Sequence, residues 1–321
     1  MKYILNKFFF YLVLFFIIMQ VSSCSKEIFT GSNDNPNAPE TVTPGNILPG
    51  VQTSLAYTQG GDIARYTSLL TQQCVGFSRQ AAAYYSYVFT STDFDTPWGN
   101  TYTSVLGNNK DLLQKADAAG YNAYGGIGRI ITAYTLQLFV DEWGDIPYSQ
   151  AFLGDGQQHP VFDNQEALYD TIENLLDVAI AKLNDPEPGG QTPGTDDMMY
   201  GGDPSRWIKF AHAIKARLYI HQSKGNATMA AQALAEANQS FESNADNADF
   251  AFGTTETFSN PVYQFNQQRA DIDYGAGYLT DLLTSLDDPR LGLTSDPTYS
   301  DFSEVGVGSF YGDINGTVEF I

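Results

Sequence analysis

The chain is rich in side chains that do chemistry and poor in arrangements that would let them. It holds 37 acidic residues against 16 basic ones and three histidines. His159, His212 and His221 lack metal-ligand spacing; the last two fall on one expected helix at i, i+9, too far apart to share an ion. There is no His-Glu-x-x-His zinc motif, no Gly-x-Ser-x-Gly elbow and no phosphate-binding loop. Gly125-Gly126-Ile127-Gly128 precedes a helix but follows no strand, so it is not a nucleotide-binding turn. Asp271-x-Asp273-x-Gly275 imitates half of a calcium loop without the downstream glutamate. Two of the many carboxylates could sit at glycosidase separation, but their order selects no pair. No catalytic residue, metal site or cofactor is expected.

What remains is aromatic surface. Sugars present apolar C–H faces between hydroxyl edges; flat Trp and Tyr rings stack on the faces, while Asn, Gln and Asp bond the hydroxyls. Tyr84, Tyr85, Tyr87, Asp93, Trp98 and Asn100 fall in one short stretch. Tyr84 to Phe89 alternates as an extended segment would, and Asp93, Asp95 and Pro97 make a loop. These six are the candidate ligand-binding residues. Core packing is the competing expectation, and the stronger one for Trp98, which opens a helical stretch.

The element around which the chain is organised is Ile127 to Pro147. Ile127, Ile130, Ile131, Tyr134, Leu138 and Val140 fall mostly on one helix face. Trp143-Gly144 closes that helix, and Pro147 forbids an early restart. Before it, Pro44 to about Leu55 and Asp62 to Gln73 are expected as a helix hairpin broken at Gly60-Gly61. After it, Asp163-Asn164 caps an amphipathic helix to about Asn184, and Asp203-Pro204-Ser205 caps another carrying Trp207, Phe210, Ile214 and Leu218. An Ala-rich helix over Thr228 to Phe241 and a shorter one over Tyr278 to Leu286 follow. Ala248 to Phe252 and Val262 to Phe265 are expected as short strands or extended loops. The fold class is all-α, with helices in antiparallel pairs that resemble a helical-repeat scaffold without a strict sequence period.

Lys2 and Lys7 followed by the apolar run Phe8 to Met19 form a targeting segment too short to span a membrane, which takes about 20 residues. Val21-Ser22-Ser23-Cys24 resembles a lipobox, so residues 1–23 are expected as a signal peptide, Cys24 as the lipidated first residue and 24–45 as a tether. Removing both lysines takes the net charge from −21 to −23, which disfavours nucleic acid and anionic membrane surfaces. Only Cys74 then remains as a thiol, so no intrachain disulfide forms.

Four groups of residues resemble the SusD/RagB outer-membrane lipoproteins of Bacteroidota. They are Cys24-Ser25-Lys26-Glu27; Asp34-Asn35-Pro36-Asn37 with Thr43-Pro44 and Ile47-Leu48-Pro49; Trp143-Gly144-Asp145-Ile146-Pro147-Tyr148; and Trp207-Ile208-Lys209-Phe210-Ala211 through Lys215-Ala216-Arg217-Leu218, joined later by Asp288-Pro289-Arg290-Leu291. The resemblance implies a tetratricopeptide-like helical domain over 46–321 with irregular loops packed on one side. It implies no enzymatic activity, a position on the outer membrane facing the cell exterior, and a TonB-dependent, SusC-like transporter as partner. The ligand would be an oligosaccharide or, in some members, a peptide. The matching motifs are mainly structural in that family, so no ligand contact is carried over from them. Family members run beyond Ile321, and the apolar ending Val318-Glu319-Phe320-Ile321 has no polar tail, so a C-terminally truncated chain is expected. A peptide binder, a non-functional fragment and a glycosidase are the alternatives.

Overall fold

The computed structural model describes residues 42–185, 190–291 and 317–319. The expected signal peptide, Cys24 and the tether as far as residue 41 lie outside the described residues. In chain order the elements are α1 (Pro44–Thr58), α2 (Ala64–Leu70), β1 (Val75–Gly76), α3 (Arg79–Tyr85), α4 (Asp95–Asn100), α5 (Asn108–Ala119), α6 (Asn122–Trp143), α7 (Gln165–Asn184), α8 (Pro204–Gln222), α9 (Ala227–Ala237), β2 (Asp249–Ala251), α10 (Pro261–Gln268), β3 (Ile272–Asp273), α11 (Tyr278–Ser285) and β4 (Thr317–Glu319). The fold is all-α in character. Its described strands are two short antiparallel pairs, β1 with β3 (Val75 opposite Asp273) and β2 with β4 (Phe250 opposite Val318).

Helix α6 is the axis. Ile127, Ile130, Ile131, Tyr134, Leu136, Phe139 and Val140 are all essentially inaccessible. Burial of such side chains stabilises the fold by about 1.5–3 kcal/mol each. α5 and α7 flank α6 in antiparallel fashion. Asn109 of α5 donates to the Gly128 carbonyl at 2.7 Å and to Thr132 Oγ1 at 2.8 Å. At the two ends of α7, Asn122 reaches the Asp185 carbonyl at 2.9 Å and Gln165 reaches the Val140 carbonyl at 3.0 Å. The glycine run at the start of α6 makes this approach possible. A Cβ on Gly126 would lie 2.6 Å from Leu183 Cγ, and one on Gly128 would lie 2.9 Å from the methyls of Leu112 and Leu113. The run is therefore a helix-packing device. Gly120, in the left-handed conformation at φ 71, ends α5, and the Tyr121 amide closes back on the Ala116 carbonyl at 2.8 Å.

Of the Asp163-Asn164 pair, Asn164 is the cap, accepting from the Glu166 amide, and Asp203 caps α8 as expected, accepting from the Ser205 amide. α8 packs antiparallel on α7 through Lys215–Asp177 at 2.7 Å and Tyr219–Glu173 at 2.5 Å. It packs on α9 through His212–Glu236 at 2.6 Å. His221 pairs with Asp141 at 2.9 Å, so both histidines of α8 are engaged by carboxylates.

Four local expectations are corrected. Gly60-Gly61 does not break the first helix: a π-turn over Gln59–Ile63 carries the helical path from α1 into α2, and a Cβ on Gly61 would stand 3.4 Å from Pro261. Tyr84 is not in an extended segment but in α3, where Ala81 and Tyr84 bury one face at i, i+3. Val262 to Phe265 belongs to α10, whose cap Asn260 accepts from the amides of Val262 and Tyr263. Trp98 lies within α4 rather than opening a helix, and a second π-turn, Thr101–Gly107, joins α4 to α5.

The buried carboxylate of Asp197 ties three parts of the scaffold together. It accepts from Gln52 of α1 at 2.7 Å, from the Trp207 indole at 2.7 Å and from the amides of Met199 and Gly202 at 3.1 and 2.8 Å. Removing it strands several dry donors at once. Asp197→Ala is expected to cost about 3 kcal/mol or more, with Asp197→Asn in between; a chemical-denaturation midpoint unmoved in Asp197→Ala would contradict this network.

Candidate ligand-binding face

The candidate residues sit on and beside a chain of touching rings. Tyr66 of α2 meets Tyr84 edge-on at 4.9 Å between centroids, Tyr84 stacks on Phe89 at 4.6 Å, and Phe89 stacks on Phe94 at 5.4 Å. Phe94 then meets Trp143 at 6.2 Å, and Trp143 meets Trp98 at 5.7 Å and Phe139 at 4.4 Å. Trp98 and Phe152 both touch Tyr102, at 5.0 and 6.2 Å. The end of α6 anchors the chain, because Trp143 occupies its last turn and Gly144, at φ 77, lets the backbone leave. The exit loop is held by Asp163, whose carboxylate accepts from the amides of Tyr148 and Ser149, both at 2.7 Å.

The six candidates divide by accessibility and by partner. Tyr84 is 3% exposed and its hydroxyl donates to Asp93 at 2.8 Å. Burial and that carboxylate push its phenol well above the ordinary range. Asp93 also accepts from the Thr90 amide at 2.6 Å, the Thr90 hydroxyl at 2.8 Å and Gln80 at 3.2 Å. The Thr90 amide and hydroxyl and the Tyr84 phenol together hold its carboxyl down at about 2. Both residues are committed to the fold. Tyr85 is half-buried against the Tyr66–Tyr84 cluster. Asn100 is exposed at the end of α4. Trp98 is half-buried, and its indole N–H makes no hydrogen bond among the described residues.

Tyr87 stands apart. The residue is 61% exposed and its hydroxyl donates to the Leu70 carbonyl at 2.8 Å. Its φ is +60, at the position just past α3 where the Val88 amide bonds the Ala83 carbonyl at 2.9 Å. That position usually belongs to glycine, and an L side chain there costs about 1–2 kcal/mol. The strain holds an exposed aromatic ring.

The sequence profile of the SusD-like family, described as starch-binding and associating with the outer membrane, matches residues 36–319. The chain belongs to the SusD-like family. Among solved structures, a SusD/RagB family protein from Bacteroides thetaiotaomicron VPI-5482 is similar at 28% identity and TM-score 0.71, over 79% of this chain and 54% of that one. A chitin-binding protein is similar at 26% identity and TM-score 0.66, over 78% and 54%. A SusD homologue from Bacteroides fragilis NCTC 9343, at 23% identity and TM-score 0.60 over 78% and 52%, shares the fold. This SusD-like chain thus spans about half the length of those structures. No curated protein matches it.

The contrast between tryptophans is informative in a SusD-like scaffold. Trp207, in the signature helix α8, is fully buried with its N–H satisfied by Asp197, so it packs and does nothing else. Trp98 and Trp143 are half-buried at the ring chain. Tyr66, Phe94, Tyr102 and Phe152 also join this chain, and nothing local in the sequence marks them: Tyr66 lies 18 positions before Tyr84, in another helix.

The depressed Asp93 carboxyl has a definite pH consequence. A folded value near 2 against an ordinary 3.8 means that its contribution is present above pH about 4 and is lost as pH falls toward 2. The melting-temperature gap between the unaltered chain and Asp93→Ala is expected to close over that window; a gap constant from pH 7 to pH 2 would refute the assignment.

Proposed function

We propose that this chain is a cell-surface binding lipoprotein that captures an oligosaccharide nutrient and delivers it, without turnover, to a TonB-dependent transporter of the outer membrane. Membership of a family described as starch-binding and associating with the outer membrane carries the proposal. Similarity at 26% identity to a chitin-binding protein supports a glycan ligand. The lipobox ending at Cys24 supports a lipid anchor, and no helix among the described residues is long and apolar enough to cross a membrane.

Within this reading, Tyr87, Trp98 and Asn100 are the ligand-facing members of the original six, and Tyr85 borders them. Tyr87 offers an exposed ring at a left-handed backbone position. Trp98 offers a half-open indole with an uncommitted donor, and Asn100 offers an amide to a sugar hydroxyl. Tyr84 and Asp93 act from behind, holding the segment in place.

Affinity electrophoresis in starch and soluble chitin derivatives tests this. Migration is expected to be retarded, with Trp98→Ala weakening the interaction about tenfold. Tyr87→Gly separates the site from the scaffold: it is expected to raise the melting temperature by relieving the left-handed tyrosine while weakening glycan binding. No retardation by any polysaccharide alongside saturable binding of a peptide pool would replace the glycan with a peptide ligand. Retardation unchanged in both variants would move the site elsewhere.

A further inference from the structure

A cavity of about 320 Å³ opens beside α6, between α5 and the loop that leaves α6. Its size falls at the lower end of the ~300–1,000 Å³ typical of small-molecule sites. Leu106, Leu113, Phe152 and Leu153 supply apolar walls. Of these, Leu106 is buried and Leu153 is 61% exposed. Thr132 also lines the cavity, but its hydroxyl already donates to the Gly128 carbonyl at 3.0 Å and accepts from Asn109 at 2.8 Å.

Into this apolar space comes one cation, Lys110. Its ammonium donates to the Phe152 carbonyl and lies 5.7 Å from the Phe152 ring centroid. It makes no ion pair among the described residues. Lys115, on the same helix, pairs with Asp111 at 3.5 Å, and Arg129 and Lys182 share Asp117 at 2.7 and 3.2 Å. The carboxylate near the cavity, Asp163, is taken up by the Ser149 hydroxyl at 2.6 Å and by the two loop amides. An ammonium has three donors, so Lys110 keeps two beyond the Phe152 carbonyl. Tyr148 lines the same cavity, and its hydroxyl makes no hydrogen bond among the described residues.

We propose that this cavity is a second binding site, for a small carboxylate with an apolar body such as a short or medium-chain fatty acid, held by Lys110 and Tyr148 at its head and by the leucines along its tail. The chemistry differs from that of a sugar. The walls offer apolar contact rather than a row of donors and acceptors, and the single charge is positive. A charge-assisted bond to the Lys110 ammonium is stronger than one between neutral groups. The site stands independently of the glycan-binding proposal, since none of the residues put forward for sugar contact lines it.

The test follows the leucine methyl NMR signals of the full chain while hexanoate, hexanol and hexylamine are added separately. Saturable shifts of Leu106, Leu113 and Leu153 are expected with hexanoate, with hexanol binding about tenfold more weakly and hexylamine not at all. Lys110→Met is expected to erase the preference for hexanoate, and Lys110→Arg to keep it. Equal response to hexanoate and hexanol in the unaltered chain overturns the proposal, and so does an unchanged preference in Lys110→Met. Because the first comparison needs no substitution, the proposal stays testable even if Lys110→Met fails to fold.

Discussion

The structure depends on one constraint: α6 is enclosed along nearly its whole length. A helix so placed must be narrow where neighbours cross it and must satisfy its own polar groups. Gly125, Gly126 and Gly128 meet the first demand, since side chains at Gly126 and Gly128 would collide with Leu183, Leu112 and Leu113. The second demand is met within the helix and from α8. Thr132 and Thr135 return their hydroxyls to the carbonyls of Gly128 and Ile131 at 3.0 and 2.7 Å, four residues earlier. Gln137 donates to the Ile214 carbonyl at 3.3 Å and accepts from Arg217 at 2.8 Å. The Lys-Ala-Arg-Leu part of the α8 signature therefore ties helices together. Arg217 reaches the central helix, while Lys215 reaches α7 and α9 through Asp177 and Glu236.

The surface inherits its geometry from the end of that helix. Because α6 is fixed, Trp143 at its last turn is fixed, and the ring chain from Tyr66 to Trp98 is built against it. Gly144 then turns the backbone outward, and an isolated bridge between Ile146 and Asp163 pins the exit. The Asp163 carboxylate, by gathering three donors from Tyr148 and Ser149, keeps the next residues against α5 and so shapes the cavity at Lys110. Two chemically different surfaces, aromatic on one side and cationic–apolar on the other, thus hang from one helix terminus. Tyr102 and Phe152 link them directly, because their rings touch.

Much of the scaffold was legible in the sequence, for a physical reason. α6, α7 and α8 are long, their apolar positions repeat at helical spacing, and Asn164 and Asp203 are cap residues that accept from the following turn. Short elements were not legible. Tyr84 to Phe89 alternates in type, but Arg79-Gln80-Ala81-Ala82-Ala83 before it favours helix. Ring contacts of Tyr84 with Tyr66 and Phe89 then hold that helix in place, and no local pattern records them. Asn260-Pro261 is a helix start, which outweighs the strand propensity of Val262 and Phe265. Gly60-Gly61 looked like a break because glycine usually is one; here close packing on Pro261 makes it tolerable inside a π-turn. The stretch holding Tyr87 and Trp98 was visible, but the commitment of Tyr84 and Asp93 to each other was not, and Lys110 carries no signal because its partner in the loop is 42 positions away.

The division between what holds the scaffold and what is proposed to meet a ligand follows from the same physics. A tryptophan whose ring is dry and whose N–H is bonded, as in Trp207, has no binding capacity left over, and its place in the signature can only concern packing. A group with an open face or an unused donor holds back some of its interaction free energy from folding. Tyr87, Trp98 and Lys110 are the groups proposed above to be of this kind: an exposed ring on a left-handed backbone, a half-buried indole and an ammonium bonded to a single carbonyl. Of the three, Trp98 is the one tied most closely to α6, since its ring also packs on Phe139 at 5.8 Å and Trp143 at 5.7 Å.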